Sequence, residues 1–165
     1  MKSRIVLILP LIVICIIVDQ ITKFIAQEFL MNQNIHTFAW DMLRLQYAEN
    51  SGAFLGMGSS LGADTRFYVL IVMPLLMLLA LMVYLIRSNK LSRLEVVSLA
   101  LICGGGISNL LDRIYRNGVV VDFMNMGVAG LRTGIFNFAD MYIMAGVFLM
   151  FFEYFRTARK TVKEA

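Results

Sequence analysis

Long apolar stretches separated by shorter polar ones dominate the chain. Four of them approach the roughly 20 residues that carry a helix across a bilayer, at about 5–26, 67–86, 94–112 and 140–156. The first is broken late by Asp19, Gln20 and Lys23, and the third and fourth each reach polar residues at one end. Pro10 and Pro74 fall inside predicted helices, where neighbouring helices satisfy the freed carbonyls. The intervening segments, about 27–66 and 113–139, are too long for simple turns. Leu43-Arg44-Leu45-Gln46-Tyr47 alternates with the period of a half-buried strand. Val119-Val120-Val121 and Phe123 have the β-branched and aromatic character of another, and Gly127, Gly130 and Gly134 mark turns. The pattern predicts an all-α membrane protein over residues 1–165, with four transmembrane helices and a small extracytoplasmic β-sheet and loop region.

Composition agrees with the bilayer as solvent: 59% of residues are hydrophobic and 16% charged, against about half apolar and a quarter charged in soluble domains. The basic residues set the expected direction. Lys2 and Arg4 precede span one; Arg87, Lys90 and Arg93 lie between spans two and three; Arg156, Arg159, Lys160 and Lys163 follow span four. Nine of the fifteen basic residues thus share one side, expected to be cytoplasmic together with both termini. Topology explains the net charge of +4, and nucleic acid is not needed. The first span reads as a retained anchor. No small-x-small cleavage site follows it, and bulky Ile14 before Cys15 is not a lipobox.

Metal chemistry has few parts to work with. Cys15 and Cys103 lie in apolar runs and read as small packing residues, and His36 is the only histidine, expected in a surface loop. Three or four ligands would be required for zinc, so no metal or cofactor is expected.

Eight of the eleven acidic residues fall on the outer half, and four stand at similar depth near the outer interface: Asp19, Asp112, Asp122 and Asp140. Ionisable residues at that depth are costly and signal function by default. Asp19 and Lys23 are four apart on a helix and share a face, and Asp112 adjoins Arg113, so a structural or substrate-holding role fits both aspartates. Asp140 reads either as a helix-opening residue favoured by the dipole or as a reacting group. Asp122 follows three valines, with no cation within three residues. Two carboxylates sharing a site cannot both ionise, so the pair holds one acid and one base. The base deprotonates a water that attacks a peptide carbonyl, while the acid holds the carbonyl oxygen. Asn50, Asn109 and Asn137 lie at the same level. Their amides either grip a substrate backbone or tie helix ends. Gly104-Gly105-Gly106 allows a close helix approach. A proton relay through Asp19, Lys23, Asp112 and Asp140 would need polar residues along the whole path, and the inner half is dry.

Five motifs then resemble, in order and over nearly the whole chain, those of the bacterial lipoprotein signal peptidases (signal peptidase II). They are Asp19-Gln20-Ile21-Thr22-Lys23, Asn50-Ser51-Gly52-Ala53, Gly104 through Arg113, Val120-Val121-Asp122-Phe123, and Phe136-Asn137-Phe138-Ala139-Asp140. The resemblance implies an aspartic endopeptidase with Asp122 and Asp140 as the catalytic pair. Asn50, Gly52, Asn109, Arg113, Asn137 and Ala139 would bind substrate, and Asp19, Lys23 and Asp112 would give polar support. The substrate would be a diacylglyceryl-modified prolipoprotein cut just before its lipid-modified cysteine. The resemblance also implies contact with membrane lipids, inhibition by globomycin-like cyclic peptides, a monomer, and a place in the bacterial cytoplasmic (inner) membrane with the site at its extracytoplasmic face. Glu49 and Phe54 depart from the family pattern and bear on loop packing or substrate contact, which leaves open a homologue that binds lipoproteins without cutting.

Overall fold

A computed structural model describes the backbone of residues 2–53, 57–128 and 130–164, with side chains from residue 5 to 159 of these. Phe54 lies outside the described residues. Among them, four helices are long and apolar enough to cross a membrane: Ile5–Leu30, Ala63–Arg87, Arg93–Tyr115 and Phe138–Arg159. They belong to α1 (Lys2–Leu30), to a span built from α2 (Ala63–Phe67), a π-helical stretch (Tyr68–Val72) and α3 (Met73–Arg87), to α4 (Arg93–Tyr115) and to α5 (Phe138–Glu164). The helices run a few residues beyond the apolar runs. Gln27 and Glu28 continue α1, and Asp64, Thr65 and Arg66 open the second span. Polar side chains at a helix end leave the backbone ladder intact, so apolarity marks the membrane-immersed part rather than the helix.

The π-helical stretch has a local cause. Pro74 offers no N–H and its ring would meet the carbonyl four residues back. Just before it, the Met73 N–H reaches the Tyr68 carbonyl, five residues back, in the wider turn. α4 starts sharply instead. Ser92 accepts from the Glu95 N–H while the Glu95 carboxylate accepts from the Ser92 N–H, a capping box.

α1 buries one stripe, Ile8, Ile12, Cys15, Asp19, Lys23 and Ala26, at helical spacing, while Leu9, Ile14, Ile17 and Phe24 are exposed. α4 is the central helix, and its glycine triplet explains how three neighbours reach it. A Cβ on Gly104 would stand 2.7 Å from Cys15 Cβ of α1, one on Gly105 would collide with the Ala139 carbonyl of α5, and one on Gly106 would stand 2.7 Å from Leu78 Cδ2 of α3. Each glycine serves a different helix, since successive residues turn by about 100° around the axis. Lipid gives no hydrophobic drive between helices, so this close packing is what holds them.

Four antiparallel strands form the sheet, in the order β1 (His36–Phe38), β2 (Leu43–Asn50), β3 (Val120–Val128), β4 (Leu131–Arg132). Leu45 pairs Met124 and Ala48 pairs Asp122, with a bulge between. His36 is exposed, as expected, yet opens a strand. Gly127 is not a turn residue. It lies within β3, where a Cβ would strike the Leu131 carbonyl oxygen at 2.5 Å and Arg132 Cγ at 2.6 Å, so its bareness lets β4 approach closely.

Candidate active site

Asp122 is carried by β3, next to the bulge, and Asp140 by the first turn of α5. Both line a cavity of about 840 Å³ between the sheet and the helices, together with Asn50, Asn109 and Arg113. Its deeper wall is apolar, formed by Met73, Met77, Leu78, Ile102, Ile143 and Met144.

Three asparagines hold the two carboxylates. Asn137 Nδ2 donates to Asp122 Oδ1 at 2.7 Å and Asn50 Nδ2 to Asp122 Oδ2 at 3.0 Å. Asn109 Nδ2 donates to Asp140 Oδ1 at 2.9 Å, and the Asn137 N–H to Asp140 Oδ2 at 3.2 Å. Asn137 is also the cap of α5, since its Oδ1 accepts from the Asp140 N–H at 2.9 Å. One amide thus caps the helix that carries Asp140 and fixes Asp122, which places the two acids relative to each other. Asp122 is 2% exposed and Asp140 half-buried. Neither forms an ion pair among the described residues. Burial, with the charge of Asp140 nearby, pushes the Asp122 carboxyl up to about 6, against the opposing pull of the Asn50 and Asn137 hydrogen bonds.

Behind the wall lies a buried charge network. Lys23 Nζ bonds Asp19 Oδ2 at 2.7 Å and Asp112 Oδ2 at 2.9 Å, all three side chains being fully buried. The same ammonium donates to Asn109 Oδ1 at 2.8 Å, which also accepts from Asn137 Nδ2 at 3.1 Å. With its oxygen held twice, the Asn109 amide has its Nδ2 turned to Asp140. Asp19 receives the Ala139 N–H at 2.8 Å and the Ser108 hydroxyl at 2.7 Å, tying α1 to the start of α5 and to α4. Asp112 accepts the Val121 N–H at 3.2 Å and so sets the height of β3 next to Asp122. Removing one partner of such a buried group costs about 3–5 kcal/mol, because a charge is left uncompensated.

Several sequence expectations change. Arg113 is not the counter-charge of Asp112, which pairs with Lys23 and, at 3.4 Å, with Arg116. Adjacent helical residues point about 100° apart, and Arg113 turns to the cavity, donating to the Gly52 carbonyl at 2.7 Å and the Asn109 carbonyl at 3.3 Å. Its Nε is buried without a partner. Of the residues expected to bind substrate, Asn50, Asn109 and Arg113 form the wall, while Gly52, Asn137 and Ala139 are buried behind it. Ala139 is a packing residue whose carbonyl lies against Gly105, and Asn137 acts on the aspartates rather than reaching the cavity. Two residues within the motifs, Gln20 and Ser108, were given no role from sequence. Gln20 Nε2 donates to Ser108 Oγ and Asp112 Oδ1, both at 3.0 Å. Their signal is weak, a polar residue beside another polar or charged one within an apolar helix.

Comparison with known proteins gives concordant results. The family model described as signal peptidase (SPase) II matches residues 11–156. A lipoprotein signal peptidase of Treponema denticola is 33% identical over 135 residues, covering 79% of this chain and 78% of that protein. One of Borreliella burgdorferi is 30% identical over 158 residues, covering 93% and 92%. Two solved structures, each described as a bacterial membrane enzyme determined by the in meso method, share the fold. One has a TM-score of 0.80 at 25% identity and covers 93% of this chain and 90% of its own; the other has 0.77 at 27%, covering 91% and 93%.

Proposed function

The chain belongs to the signal peptidase II family of lipoprotein signal peptidases, and on that premise we propose that it cuts its substrates as an aspartic endopeptidase with Asp122 and Asp140 as the reacting pair. The family's task, removal of signal peptides from prolipoproteins, fits a multi-pass membrane protein. The observation that carries the aspartic reading is two carboxylates on one cavity wall, each held by asparagine donors and neither neutralised by an ion pair.

Asp122, buried beside a second acid and pushed up to about 6, is the member that keeps the shared proton. Asp140 takes a proton from water, and the hydroxide oxygen attacks the scissile carbonyl carbon. The Asp122 hydroxyl hydrogen-bonds the carbonyl oxygen as it gains charge. When the intermediate collapses and the C–N bond breaks, the leaving nitrogen takes the proton that Asp140 received. The Arg113 and Asn50 side chains line the cavity where the substrate backbone would lie. The apolar wall beneath suits the signal helix and the diacylglyceryl chains of a lipid-modified cysteine, and a cut just before that cysteine is what the family resemblance implies. Globomycin-like cyclic peptides would compete for the same cavity. The basic residues favour termini in the cytoplasm and the cavity at the opposite face, and the family resemblance implies a monomer in the bacterial inner membrane.

Cleavage of a diacylglyceryl-modified prolipoprotein in detergent tests this. The parent should release the signal peptide, whereas Asp122→Asn and Asp140→Asn should both lose at least about a thousandfold while still binding a globomycin-like peptide. Parental turnover by either variant would sink the dyad.

A further inference from the structure

The sheet has two unlike faces beyond the active site. Residues paired across an antiparallel ladder share a face, and alternate residues along each strand keep it. Beyond the bulge next to Asp122, Met124, Met126 and Val128 of β3 share one face with Leu45 and Leu43 of β2. Leu131 of β4, opposite Val128, and Phe38 of β1, opposite Leu43, lie on it too, and the exposed His36, opposite Leu45, is its one polar residue in β1. The near half of this face is occupied. Met124, Leu43 and Leu45 belong to an apolar cluster with Ala26 and Leu30 at the end of α1. Towards the far end exposure rises through Met126 and Val128 to Leu131, which is 85% exposed.

The other face is polar and satisfied within itself. Arg44 Nε bonds Asp41 Oδ1 at 2.6 Å, and Arg132 Nη1 donates to the Asp41 carbonyl at 2.8 Å. Arg132 Nε also donates to Asn125 Oδ1. Between β1 and β2, Ala39, Trp40 and Asp41 all take left-handed backbone (φ 51°, 53° and 69°), and Trp40 stands 97% exposed at the tip.

We infer that the apolar face of this sheet, with Trp40 at its tip, is immersed in the headgroup and acyl boundary of the bilayer leaflet from which the sheet projects. The occupant follows from continuity. The same face begins in the cluster at the end of a membrane-spanning helix, and the adjoining outer surface of α1, Phe24, Ile25 and Phe29, is exposed and apolar as a lipid-facing surface must be. An amphipathic element placed beside spans lies in the interface with its apolar side down, and tryptophan is the residue enriched at that depth. The consequence reaches the site. Asp122 is held by a strand anchored in lipid at its far end, so its depth is fixed relative to the membrane as well as to the helices. The inference needs only the membrane spans, not the dyad.

Trp40 is the only tryptophan in the chain, so its fluorescence reports directly. The full chain in vesicles of phosphatidylethanolamine and phosphatidylglycerol with brominated acyl chains should show Trp40 strongly quenched by the lipid and shielded from aqueous iodide. In a Trp40→Phe background, Leu131→Trp should behave likewise, and Thr37→Trp, on the polar face opposite Arg44, should be quenched several-fold less by lipid and more by iodide. Retained cleavage in detergent certifies folding of each variant. Free access of iodide to Trp40 and Leu131→Trp would overturn the inference. So would protection that grows with protein density but ignores the bromines, which would mean a second copy, or protection arising only when prolipoprotein is added.

Discussion

Asn50 donates to Asp122 Oδ2 at 3.0 Å, a bond to the charged form that pulls against the burial raising this carboxyl to about 6. The sign of the pH dependence follows. A carboxyl raised above its ordinary value binds its proton more readily in the folded state, so this group's contribution to stability is present at low pH and is lost as pH rises through about 6. If the same proton serves the reaction, kcat/KM has an alkaline limb governed by Asp122. Asn50→Ala removes a bond that favours the charged form, so the limb should move to higher pH while the maximum falls. A pH profile of the two proteins checks this, and a limb that stays or moves down would show that Asp122 does not govern it. At this scale the chain was partly legible. Asp19 and Lys23 were recognisable as partners because four residues make one helical turn. The partner of Asp112 was misread because adjacency in sequence was taken for adjacency in space; its cation comes from α1, and only packing brings it there. The cap made by Asn137 was equally open to a substrate-gripping reading, since an amide offers donors to either.

Among the elements, the glycine triplet of α4 separates two kinds of tight contact. At Gly105 a Cβ would strike the Ala139 carbonyl, backbone at the start of α5 that cannot move without moving Asp140 one residue on. At Gly106 the obstacle is the Cδ2 end of Leu78, a flexible side chain 2.7 Å away. Gly105→Ala should therefore cost about 1–3 kcal/mol of overpacking and most of the cleavage activity. Gly106→Ala should unfold within a few degrees of the parent and retain most turnover. Thermal unfolding in detergent beside the cleavage assay distinguishes them, and equal effects would mean that α5 yields. The four spans, β2 and the start of β3 could be read from hydropathy and alternation. β1 and β4 could not, being three and two residues long, too short for a period to show. Gly127 reads as a turn from sequence because its signal, a bare Cα, is the same whether the chain bends or a neighbouring strand approaches it closely.

For the whole molecule, one cavity joins a polar wall bearing Asn50, Asn109, Arg113 and the two aspartates to an apolar wall of Met73, Met77, Leu78 and Met144. A substrate matching both is a peptide bond attached to lipid. The energetics of the two walls differ. Acyl chains entering the cavity leave bilayer rather than water, so the usual gain of about 0.8 kcal/mol per buried methylene is largely absent and the fit rests on packing. Polar contacts to the backbone around the cut bond are made where few waters compete, and they position the reacting carbonyl against Asp122 and Asp140. Met77→Ala should consequently raise KM less than about tenfold, close to 1.4 kcal/mol, with kcat nearly unchanged. Arg113→Lys replaces a planar fork that holds the Gly52 and Asn109 carbonyls by a point charge, and should lower kcat with little change in KM. Steady-state cleavage of a lipidated prolipoprotein in vesicles reads both. If Met77→Ala instead lowered kcat as Arg113→Lys does, the apolar wall would be positioning the cut bond, and the division of labour between the walls would have to be abandoned.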